Sequence, residues 1–484
     1  MSSQSLIAYR ILLALVLVCI LPLFLSGCSS PGSGYSSNAG LLGNGPPVDN
    51  DRGGQLSLFL NLKKTKGSEL RMRIQSIEIL TETNNWIPLL RLPVTADSKT
   101  LPLGQLFLSR SALTTGYYSR IRITTLCNPS GSETEVSPVT TELNINRPLY
   151  ITKGDSRSLF ILWDIGTSLA GGTLGKPALS LDPKLKNMLV DVAYAACPDI
   201  NTVFMICTDK NIVCDSLGVA GGPSYLISDP IAPTANLYAL TENEIGIKKI
   251  GPAANRVEAN FPLSMLGRGL QFTTSPDSRW AFVIDRKRGN IVRLDLRSGA
   301  IDLGTRLGYQ PSYIIYLEQQ KLLAVTLSKS QTVVLLDPET MNKVRSISTG
   351  NKPEGLLLYR NNYLYIAESG GNSVMVYDLS KNVVQQRVLV DFSPARIFAV
   401  DNTVYVANRG SRTISIIKPG QLNVLQTIRL DGPPLEFAYS ATNKWLYVGN
   451  ESAGAIDIID PVSKELTGRI SLGAVPRGIA VLHR

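Results

Sequence analysis

The chain has 484 residues and a formal net charge of +10, with 48 lysines and arginines against 38 acidic residues. This length is too great for one ordinary hydrophobic core and predicts about two to three domains. Charged residues make up only 18% of the chain, and its 40 glycines and 28 prolines are typical of short strands joined by tight turns. No long stretch combines a helical period with caps, which excludes a helical protein, and no C-x-x-C pair occurs, which excludes zinc-ribbon, thioredoxin-like and c-type haem motifs.

Residues 1–27 have the features of an export signal. A lone Arg10 precedes an apolar run at 11–25, which is short for a membrane span. The residues that end this segment resemble the lipobox of bacterial lipoproteins and are Leu25, Ser26, Gly27 and Cys28. The resemblance implies that residues 1–27 are removed and that Cys28 carries lipid as the mature N-terminus. The alternatives are an uncleaved transmembrane anchor and an ordinary signal peptide.

Residues 28–50 are rich in Ser, Gly, Asn and Pro and have no apolar period, which predicts a flexible tether. Ser29 follows the lipobox cysteine, and in Gram-negative lipoproteins this resembles the outer-membrane sorting case. We therefore expect a lipid-anchored outer-membrane protein, and the sequence leaves open whether its body faces the periplasm or the cell surface.

Residues 51–197 contain alternating strands without a fixed repeat, which predicts a β-sandwich domain. The first strand places four leucines on one face, namely Leu56, Leu58, Leu60 and Leu62. The segment also resembles an uncharacterised β-sandwich domain family of bacterial lipoproteins, through scattered residues such as Trp86, Gly116, Tyr118, Ile121 and Trp163. That resemblance implies no catalytic residues.

Residues 198–484 contain a repeat. Its units begin at intervals of 40 to 44 residues, at Pro223, Gly267, Pro311, Pro353, Pro394, Pro434 and Pro476. Each unit reads as four short strands, which predicts the blades of a β-propeller. Residues 201–219 supply a second and a third strand without a first, and the unit at Pro476 is cut short. We therefore predict a seven-bladed propeller in which the final strand joins the sheet begun by residues 201–222, leaving no unpaired edge in the ring.

The repeat resembles a known family. The segments "TVYVANRGSRTISII", "LYIAESGGNSVMVYDL" and "LYVGNESAGAIDIIDP" are similar to the YVTN-type repeats of bacterial surface and periplasmic propellers. The resemblance covers residues 223–484. One departure is Lys418, which stands where Asp295, Asp337, Asp378 and Asp460 occupy the turn between the third and fourth strands.

Export leaves four cysteines in an oxidising compartment, enough for two disulfides. Cys207 and Cys214 lie opposite each other in a hairpin centred between residues 210 and 211, which predicts one bridge. Cys127 then pairs with Cys197 by elimination. The alternative is four free buried thiols.

No catalytic set is visible. His483 is the only histidine, it lies next to the C-terminus, and no nucleophile or orienting group accompanies it. Polar residues end the second strands and are expected at one mouth of the channel: Asp285, Thr326, Glu368, Asn408 and Asn450. They either bind a ligand there or satisfy backbone groups of the turns. We expect no metal and no cofactor.

Basic residues occur in loops that a propeller presents on one face, namely Arg286, Lys287, Arg288, Lys329, Arg409, Arg412 and Arg477. This bias favours an envelope protein or an anionic polymer as the partner, while nucleic acid is not expected. The alternative is a solvated basic surface with no dedicated partner. The leading hypothesis is a non-enzymatic envelope lipoprotein that acts as a binding or assembly platform. The alternatives are a propeller hydrolase such as a lactonase, and a structural surface-layer or adhesion component. The oligomeric state stays open.

Overall fold

A computed structural model describes residues 53–64, 69–101, 103–129, 137–170, 176–182, 191–229, 236–252, 255–267, 270–308 and 310–483. All of these residues lie in one compact unit, Ala39–Arg484. The predicted signal peptide, lipobox and Cys28 lie outside the described residues, as does the predicted tether. Within the described ranges, no helix has the length and hydropathy needed to cross a bilayer.

The N-terminal region is built from two sheets. Its elements are β1 (Gly53–Lys63), β2 (Leu70–Thr81), β3 (Trp86–Pro88), β4 (Val94–Asp97), β5 (Gln105–Thr114), β6 (Gly116–Pro129), β7 (Val139–Ile151), β8 (Ser156–Asp164), the short helix α1 (Ile165–Ala170) and β9 (Ala178–Leu181). One sheet has the strand order β5-β1-β8-β9, and the other has the order β3-β2-β6-β7 with β4 paired to β2. In the first sheet β1 is antiparallel to β5 and parallel to β8.

Strand β1 is buried on both faces, which its alternating sequence explains. Leu56, Leu58 and Leu60 pack in a hydrophobic cluster with residues of the second sheet, as the sequence predicts for this face. Phe59 points the other way and packs in a different cluster, together with residues of the strands that follow this region. The first sheet therefore lies between two cores.

The remaining strands are short and regular. They begin with β10 (Val192–Cys197), β11 (Thr202–Cys207), β12 (Ile212–Gly218), β13 (Pro223–Ser228), β14 (Leu237–Thr241), β15 (Gly246–Gly251), β16 (Arg256–Pro262), β17 (Leu270–Thr274), β18 (Trp280–Asp285), β19 (Asn290–Asp295) and β20 (Ile301–Arg306). They continue with β21 (Pro311–Leu317), β22 (Leu322–Leu327), β23 (Thr332–Leu336), β24 (Lys343–Ser348), β25 (Pro353–Tyr359), β26 (Tyr363–Glu368), β27 (Ser373–Asp378) and β28 (Val383–Leu389). The last are β29 (Pro394–Val400), β30 (Thr403–Asn408), β31 (Thr413–Ile417), β32 (Val424–Arg429), β33 (Pro434–Ser440), β34 (Trp445–Asn450), β35 (Ala455–Asp460), β36 (Glu465–Ser471) and β37 (Gly478–Leu482).

These strands form seven four-stranded antiparallel sheets. Six of them, here called the continuous sheets, each use four consecutive strands, from β13–β16 to β33–β36. Their first strands, called the inner strands, begin at the repeat starts that the sequence predicts or within a few residues of them. Hydrophobic clusters fill the space between neighbouring sheets, because each sheet buries apolar side chains on both faces. The fold is all-β and β-propeller-like.

The seventh sheet, here called the closing sheet, has the order β12-β11-β10-β37 and joins two distant parts of the chain. Strand β37 pairs antiparallel with β10, with Ala196 opposite Gly478 and Val192 opposite Leu482. The sequence correctly predicts that the last strand enters the sheet that contains residues 202–218. Strand β37 occupies the inner position and contacts the inner strands β13 and β33 on either side.

Strand β10 precedes the predicted domain boundary after residue 197 and pairs with β11 and β37, which follow that boundary. Strand β10 belongs to the closing sheet, although its alternation resembles that of the strands before it. A single-turn 3-10 helix at Pro198–Ile200 joins it to β11 as a hairpin. Residues 202–218 consequently form the third and fourth strands of this sheet, and not the second and third.

Candidate functional site

The residues that end the second strands are at most 1% exposed, namely Asp285, Thr326, Glu368, Asn408 and Asn450. The Asp285 carboxylate accepts a hydrogen bond from the Gly267 N–H at 2.6 Å. The Glu368 carboxylate accepts bonds from the Gly350 N–H and the Ser373 hydroxyl, both at 2.6 Å. These carboxylates hold the loops that connect neighbouring sheets, so their oxygens already accept hydrogen bonds from groups of the protein itself.

The other three residues also bond to nearby protein groups. The Thr326 hydroxyl donates to a backbone carbonyl of β25 at 2.8 Å. The Asn408 amide donates to the Ser415 hydroxyl, and the Asn450 amide donates to the Asp457 carboxylate, each at 2.8 Å. The sequence leaves two interpretations open for the five residues that end the second strands. Their contacts match the interpretation in which the side chains satisfy nearby polar groups of the protein.

The predicted basic residues divide into paired and unpaired side chains. Arg286 forms an ion pair with Glu354, and Arg409 forms one with Glu451, each at 3.0 Å. Glu451 belongs to the sheet that follows that of Arg409, whereas Glu354 lies in β25, two sheets after that of Arg286. These two arginines therefore join different sheets, and each of their charges is balanced by a partner.

Four further basic side chains are exposed at the same strand ends. Arg288 donates to the carbonyl of Met265. Lys287, Lys329 and Arg412 have no ion-pair partner among the described residues. They follow β18, β22 and β30 in the turns between second and third strands, so these strand ends present unpaired positive charge to solvent.

His483 follows the last strand of the closing sheet and contacts Asp191. Its Nδ1 is 3.2 Å from the carboxylate of Asp191, and its side chain is 58% exposed. The same Asp191 carboxylate accepts bonds from the Ser440 hydroxyl at 2.8 Å and the Thr442 N–H at 3.1 Å. The histidine therefore belongs to a polar contact that connects the two chain segments of the closing sheet with β33.

A cavity of 150 Å³ lies at the mouth end of the inner strands. Its polar lining comprises Ser224 and Tyr225 of β13, Gln271 of β17, Arg396 of β29, Glu436 of β33, Arg477 before β37, and the loop residues Glu242 and Arg409. None of the five residues that end the second strands lines it. A second cavity of 290 Å³ is lined by the inner strands and shares Tyr225 and Glu436 with the first, so the two together follow the space that these strands enclose.

A hydrogen-bonded cluster of residues lines the two cavities. The hydroxyls of Tyr225 and Tyr313 bond to each other, and burial raises the pKa of Tyr313 to about 12. The guanidinium of Arg396 lies 4.8 Å from the centre of the Tyr313 ring and bonds to Glu436 at 2.9 Å. Burial alone would lower the pKa of Arg396, but the Glu436 carboxylate raises it above its ordinary value, so the guanidinium stays charged.

Apart from Arg409 and Arg477, the predicted binding residues do not include this lining. One signal was available: several repeats place a polar or aromatic residue at the second or third position of the opening strand, for example Ser224, Tyr225, Arg396 and Glu436. Alternation places one of these positions toward the space enclosed by the inner strands. The residues of the turns recur more regularly than these opening-strand residues. They recur because the backbone of the turns requires them.

The predicted cysteine pairings differ from the structure, which contains no disulfide among the described residues. Cys127 lies in the core of the N-terminal region, whereas Cys197 packs in the cluster beside the closing sheet. That separation contradicts their pairing. Burial raises the pKa of the Cys127 thiol to about 11 and that of Cys197 still further.

The register of Cys207 also differs from the prediction. Cys207 lies opposite Ile212, because the turn closes with a bond from the Asn211 N–H to the Cys207 carbonyl at 2.8 Å. Asn211 adopts a left-handed conformation with φ of 55°. An irregularity in the ladder then shifts Cys214 out of direct opposition, although a contact with the Cys207 thiol, together with burial, raises the pKa of the Cys214 thiol.

Metal ligands do not cluster in this part of the molecule. Within the described ranges, no group of three or more His, Cys, Asp or Glu side chains is arranged to hold a metal ion. The cavity at the mouth can therefore be characterised by its arginines, carboxylates, amide and hydroxyls, which act as hydrogen-bond donors and acceptors.

Comparisons with known proteins identify the fold only. No family model and no curated protein matches the chain. A solved structure of a functionally unknown protein from Desulfotomaculum acetoxidans is similar, with a TM-score of 0.52 and 15% identity over 60% of this chain and 99% of that one. Dihydro-heme d1 dehydrogenase NirN in complex with DHE has a TM-score of 0.47 and 15% identity over 60% of this chain and 65% of that one. Hydrazine synthase of Kuenenia stuttgartiensis has a TM-score of 0.47 and 16% identity over 54% of this chain and 89% of that one.

Proposed function

We propose that the seven four-stranded sheets are the blades of one YVTN-type propeller, and that the two N-terminal sheets form a β-sandwich against it. The pairing of β37 with β10 supports closure of the ring, because it gives the terminal strand the inner position in its sheet. The shared cluster of Leu56, Met72 and Ile121 supports the sandwich, because these residues come from both N-terminal sheets.

We further propose that this protein is a non-enzymatic outer-membrane lipoprotein and that it acts as a binding platform in the cell envelope. Cys28 carries its lipid anchor, and the body faces the periplasm or the cell surface. Its partner is an anionic polymer bound at the mouth-side ends of the strands. The observation that carries the proposal is the exposed positive charge of Lys287, Lys329 and Arg412, for which the described residues supply no ion-pair partner.

Electrostatics explain why these side chains suit a polymer. Exposed cations are fully hydrated and contribute little to folding, so their charge is available to a partner. Several such charges on one side of a molecule raise the local concentration of a polyanion and speed its association. The attraction is screened over about 8 Å at physiological ionic strength, so binding weakens as salt is added.

Binding to immobilised lipopolysaccharide tests the platform hypothesis. The variant Lys287→Glu, Lys329→Glu and Arg412→Glu is expected to lose most of the binding that the full chain shows. The matched control is Lys321→Glu, Lys343→Glu and Lys444→Glu, which reverses the same number of exposed charges at the opposite ends of the strands. Equal binding by both variants, or binding that does not change with salt, would show that the mouth-side charges do not recognise the polymer.

The anchor is tested separately in cells that are given an alkyne-labelled fatty acid. Wild-type chain is expected to take up the label and to fractionate with the outer membrane, whereas Cys28→Ala is expected to do neither. Cys19→Ala is the control, since this cysteine lies within the predicted signal. Labelling of the Cys28→Ala variant would contradict the lipobox interpretation.

A further inference from the structure

One turn between a third and a fourth strand departs from the repeat. In the last continuous sheet Asp460 begins this turn and accepts bonds from two backbone N–H groups within it, and the Lys464 N–H closes the turn to the Asp460 carbonyl at 2.8 Å. In the preceding sheet Lys418 takes the place of the aspartate, and a lysine side chain has no acceptor for those N–H groups. There the Gln421 N–H bonds to the Lys418 carbonyl at 3.0 Å, one residue earlier. Residues 418–423, here called the altered turn, therefore have a different backbone conformation.

Tyrosines of the second strands connect neighbouring sheets through these turns. Tyr405 of β30 donates to the Pro461 carbonyl at 3.5 Å, and Tyr447 of β34 donates to the Asn211 side chain at 2.6 Å. Both acceptors lie in the turn between the third and fourth strands of the next sheet. Tyr365 has the same position in β26, and the next sheet carries the altered turn. The Tyr365 hydroxyl has no hydrogen-bond partner among the described residues.

A cavity of 450 Å³ lies where this connection is missing. Its lining includes Tyr359, Tyr363 and Tyr365 on one side and Pro419 and Gly420 of the altered turn on the other. The volume falls within the range of about 300–1,000 Å³ that is typical of ligand sites, and the cavity is open to solvent on one side. Because Tyr365 is only 2% exposed and its hydroxyl has no protein partner, this hydroxyl is available to a molecule in the cavity.

The concentration of tyrosines is specific to this sheet and is not part of the repeat. The repeats on either side place Leu317 and Val400 at the position of Tyr359. The rings of Tyr359 and Tyr365 pack edge to face, with their centres 5.9 Å apart. Aromatic rings held in this way offer a rigid apolar surface that ends in a polar hydroxyl.

The cavity has a positive charge. Its charged lining residues are Arg360 and Lys381, and no carboxylate is among the described residues that line it. Lys381 lies 4.0 Å from the carboxylate of Asp378. Arg360 has no ion-pair partner among the described residues, but its guanidinium lies 5.3 Å from the centre of the Tyr359 ring and donates to the Asn402 side chain at 3.3 Å. An arginine that is held in place with its charge unpaired favours a carboxylate, which it can bind with two parallel hydrogen bonds.

The amides of the lining favour a ligand with hydroxyl groups. Gln385 donates to the Asp378 carboxylate, and Gln386 donates to the Gln421 carbonyl, each at 3.2 Å. Each amide keeps its oxygen and a second N–H for a ligand. A hydroxyl group both donates and accepts, so it matches these amides and the Tyr365 hydroxyl. A sugar ring combines such hydroxyls with an apolar face of C–H groups, which suits the tyrosine rings.

We propose that this cavity binds a pyranose ring that carries a carboxylate, the chemical class of the uronic acids. The apolar face of the sugar packs on the tyrosine rings, its hydroxyls bond to Tyr365 and Gln385, and its carboxylate accepts bonds from Arg360. Because the cavity is open on one side, the sugar can be one unit of a longer chain. The cavity lies at the opposite ends of the strands from the mouth-side cations, so the inference goes beyond the polymer binding proposed for them.

Saturation-transfer difference NMR on the full chain tests the proposal. The probes are the methyl glycosides of glucuronic, galacturonic and mannuronic acid, and each is compared with the methyl glycoside of its neutral hexose. We expect at least one acidic sugar to bind, with its neutral counterpart about tenfold or more weaker, because only the acid pairs with the arginine. The aromatic acid 4-hydroxybenzoate is expected to bind more weakly than that sugar, since it leaves most of the hydrogen-bonding groups without partners.

The variant Tyr365→Phe locates the site. It removes a hydroxyl that has no protein partner, so we expect an unchanged melting temperature and sugar binding that is about threefold to tenfold weaker. The matched control is Tyr447→Phe at the same position of a later repeat. It removes the bond to Asn211, so it is expected to lower the melting temperature and to leave sugar binding unchanged. A purely structural role of the two hydroxyls would not give opposite results.

The variant Arg360→Gln tests the selection of the acid. We expect binding of the acidic sugar to weaken about tenfold or more and the preference over the neutral sugar to disappear. The control is Lys321→Gln, which removes an exposed cation from the corresponding turn of the preceding sheet and is expected to change neither quantity.

Four results would overturn the proposal. Saturation transfer to none of the acidic sugars would mean that the cavity holds only water. Equal binding of the acidic and the neutral sugar would show that Arg360 does not select a carboxylate. Tighter binding of 4-hydroxybenzoate would indicate a site for aromatic acids. Sugar binding that Tyr365→Phe leaves unchanged would place the sugar elsewhere. Lipopolysaccharide binding is measured on the same samples, so failure of the sugar site is distinguished from failure of the platform hypothesis.

Discussion

The closing sheet and the six continuous sheets have the same four-stranded antiparallel topology, but they are assembled differently. Each continuous sheet forms from neighbouring hairpins, so only short loops have to close. In the closing sheet β37 pairs with β10, although the strands of all six continuous sheets lie between them in the chain. Because loop-closure entropy must be overcome before such a distant contact stabilises the fold, the closing sheet depends on long-range pairing.

The closing sheet also packs against the N-terminal region, together with the neighbouring sheet β33–β36. Phe59 and Phe160 of the N-terminal region stack at 5.5 Å, and both pack in the cluster that contains Phe204 of β11 and Ile479 of β37. The buried Arg110 of β5 donates to the backbone carbonyl of Gly473, just before the last strand, at 2.9 Å. The sheet that depends most on distant pairing is therefore also one against which the N-terminal region packs.

Deleting residues 476–484 should have the largest effect on this comparison. The deletion removes β37 and leaves β10, β13 and β33 without their inner neighbour, so we expect a loss of more than about 4 kcal/mol of unfolding free energy or a failure to fold. Calorimetry measures the loss, and deletion of Arg484 alone is the control. An unchanged melting profile would refute closure by the C-terminal strand.

The variant Phe59→Ala tests whether the N-terminal region supports the closing sheet. Phe59 is fully buried between both regions, so we expect a loss of about 3–5 kcal/mol. Phe392→Ala is the control, because this side chain is 67% exposed and its removal should change stability by no more than about 0.5 kcal/mol. Denaturant unfolding measures both. Similar losses for the two variants would mean that the N-terminal region contributes little.

A smaller, pH-dependent effect is expected for Asp191→Asn. Burial alone would raise the pKa of Asp191, but bonds from the Thr442 N–H and the Ser440 hydroxyl, together with His483, lower it below its ordinary value. A carboxyl whose pKa is lowered on folding stabilises the protein at a pH above its unfolded pKa, about 3.9, and loses this contribution as the pH falls through the folded value.

Wild type should therefore exceed Asp191→Asn by about 1–3 kcal/mol at neutral pH, and the difference should shrink under strongly acidic conditions. Urea unfolding at a series of pH values measures the difference. The control Asp401→Asn changes an exposed carboxylate in a turn of a continuous sheet and should show no such trend. A pH-independent difference for Asp191→Asn would show that its charge does not stabilise the closing sheet.

The smallest effect is expected for His483→Gln. The histidine contacts Asp191 at 3.2 Å, but its side chain is 58% exposed and solvent screens the contact. We expect a loss of less than about 1 kcal/mol in unfolding free energy, measured in urea at pH 6. A loss as large as that of Phe59→Ala would mean that this pair, and not apolar packing, holds the closing sheet together.

Much of the fold could be predicted because it depends on local patterns. The strand alternation and the spacing of the opening strands recur along the repeats, and Asx-type turns recur in several of them, as in Asp295, Asp337 and Asp378, which accept bonds from backbone N–H groups of their own turns. The last strand was assignable because an unfinished repeat has to complete a sheet somewhere. The start of the closing sheet could not be predicted, because β10 has the same alternation of side chains as the strands before it.

The site was less predictable, because its partners are far apart in the chain. Arg396 and Glu436 are 40 residues apart, and Ser440 and Asp191 are 249 residues apart. The register of Cys214 also depends on a local irregularity between two strands that spacing alone does not reveal.

The sequence by itself determined the β class, the repeat and the candidate lipid anchor, because period, turn chemistry and targeting motifs act over a few residues. Only the tertiary structure decided which polar residues turn inward and meet. Gln271, Ser224 and Glu242 come from different strands and a loop, and they line one cavity only when the inner strands lie side by side. Burial makes this placement important, because a polar group without water must find a partner inside the protein or bind one from outside.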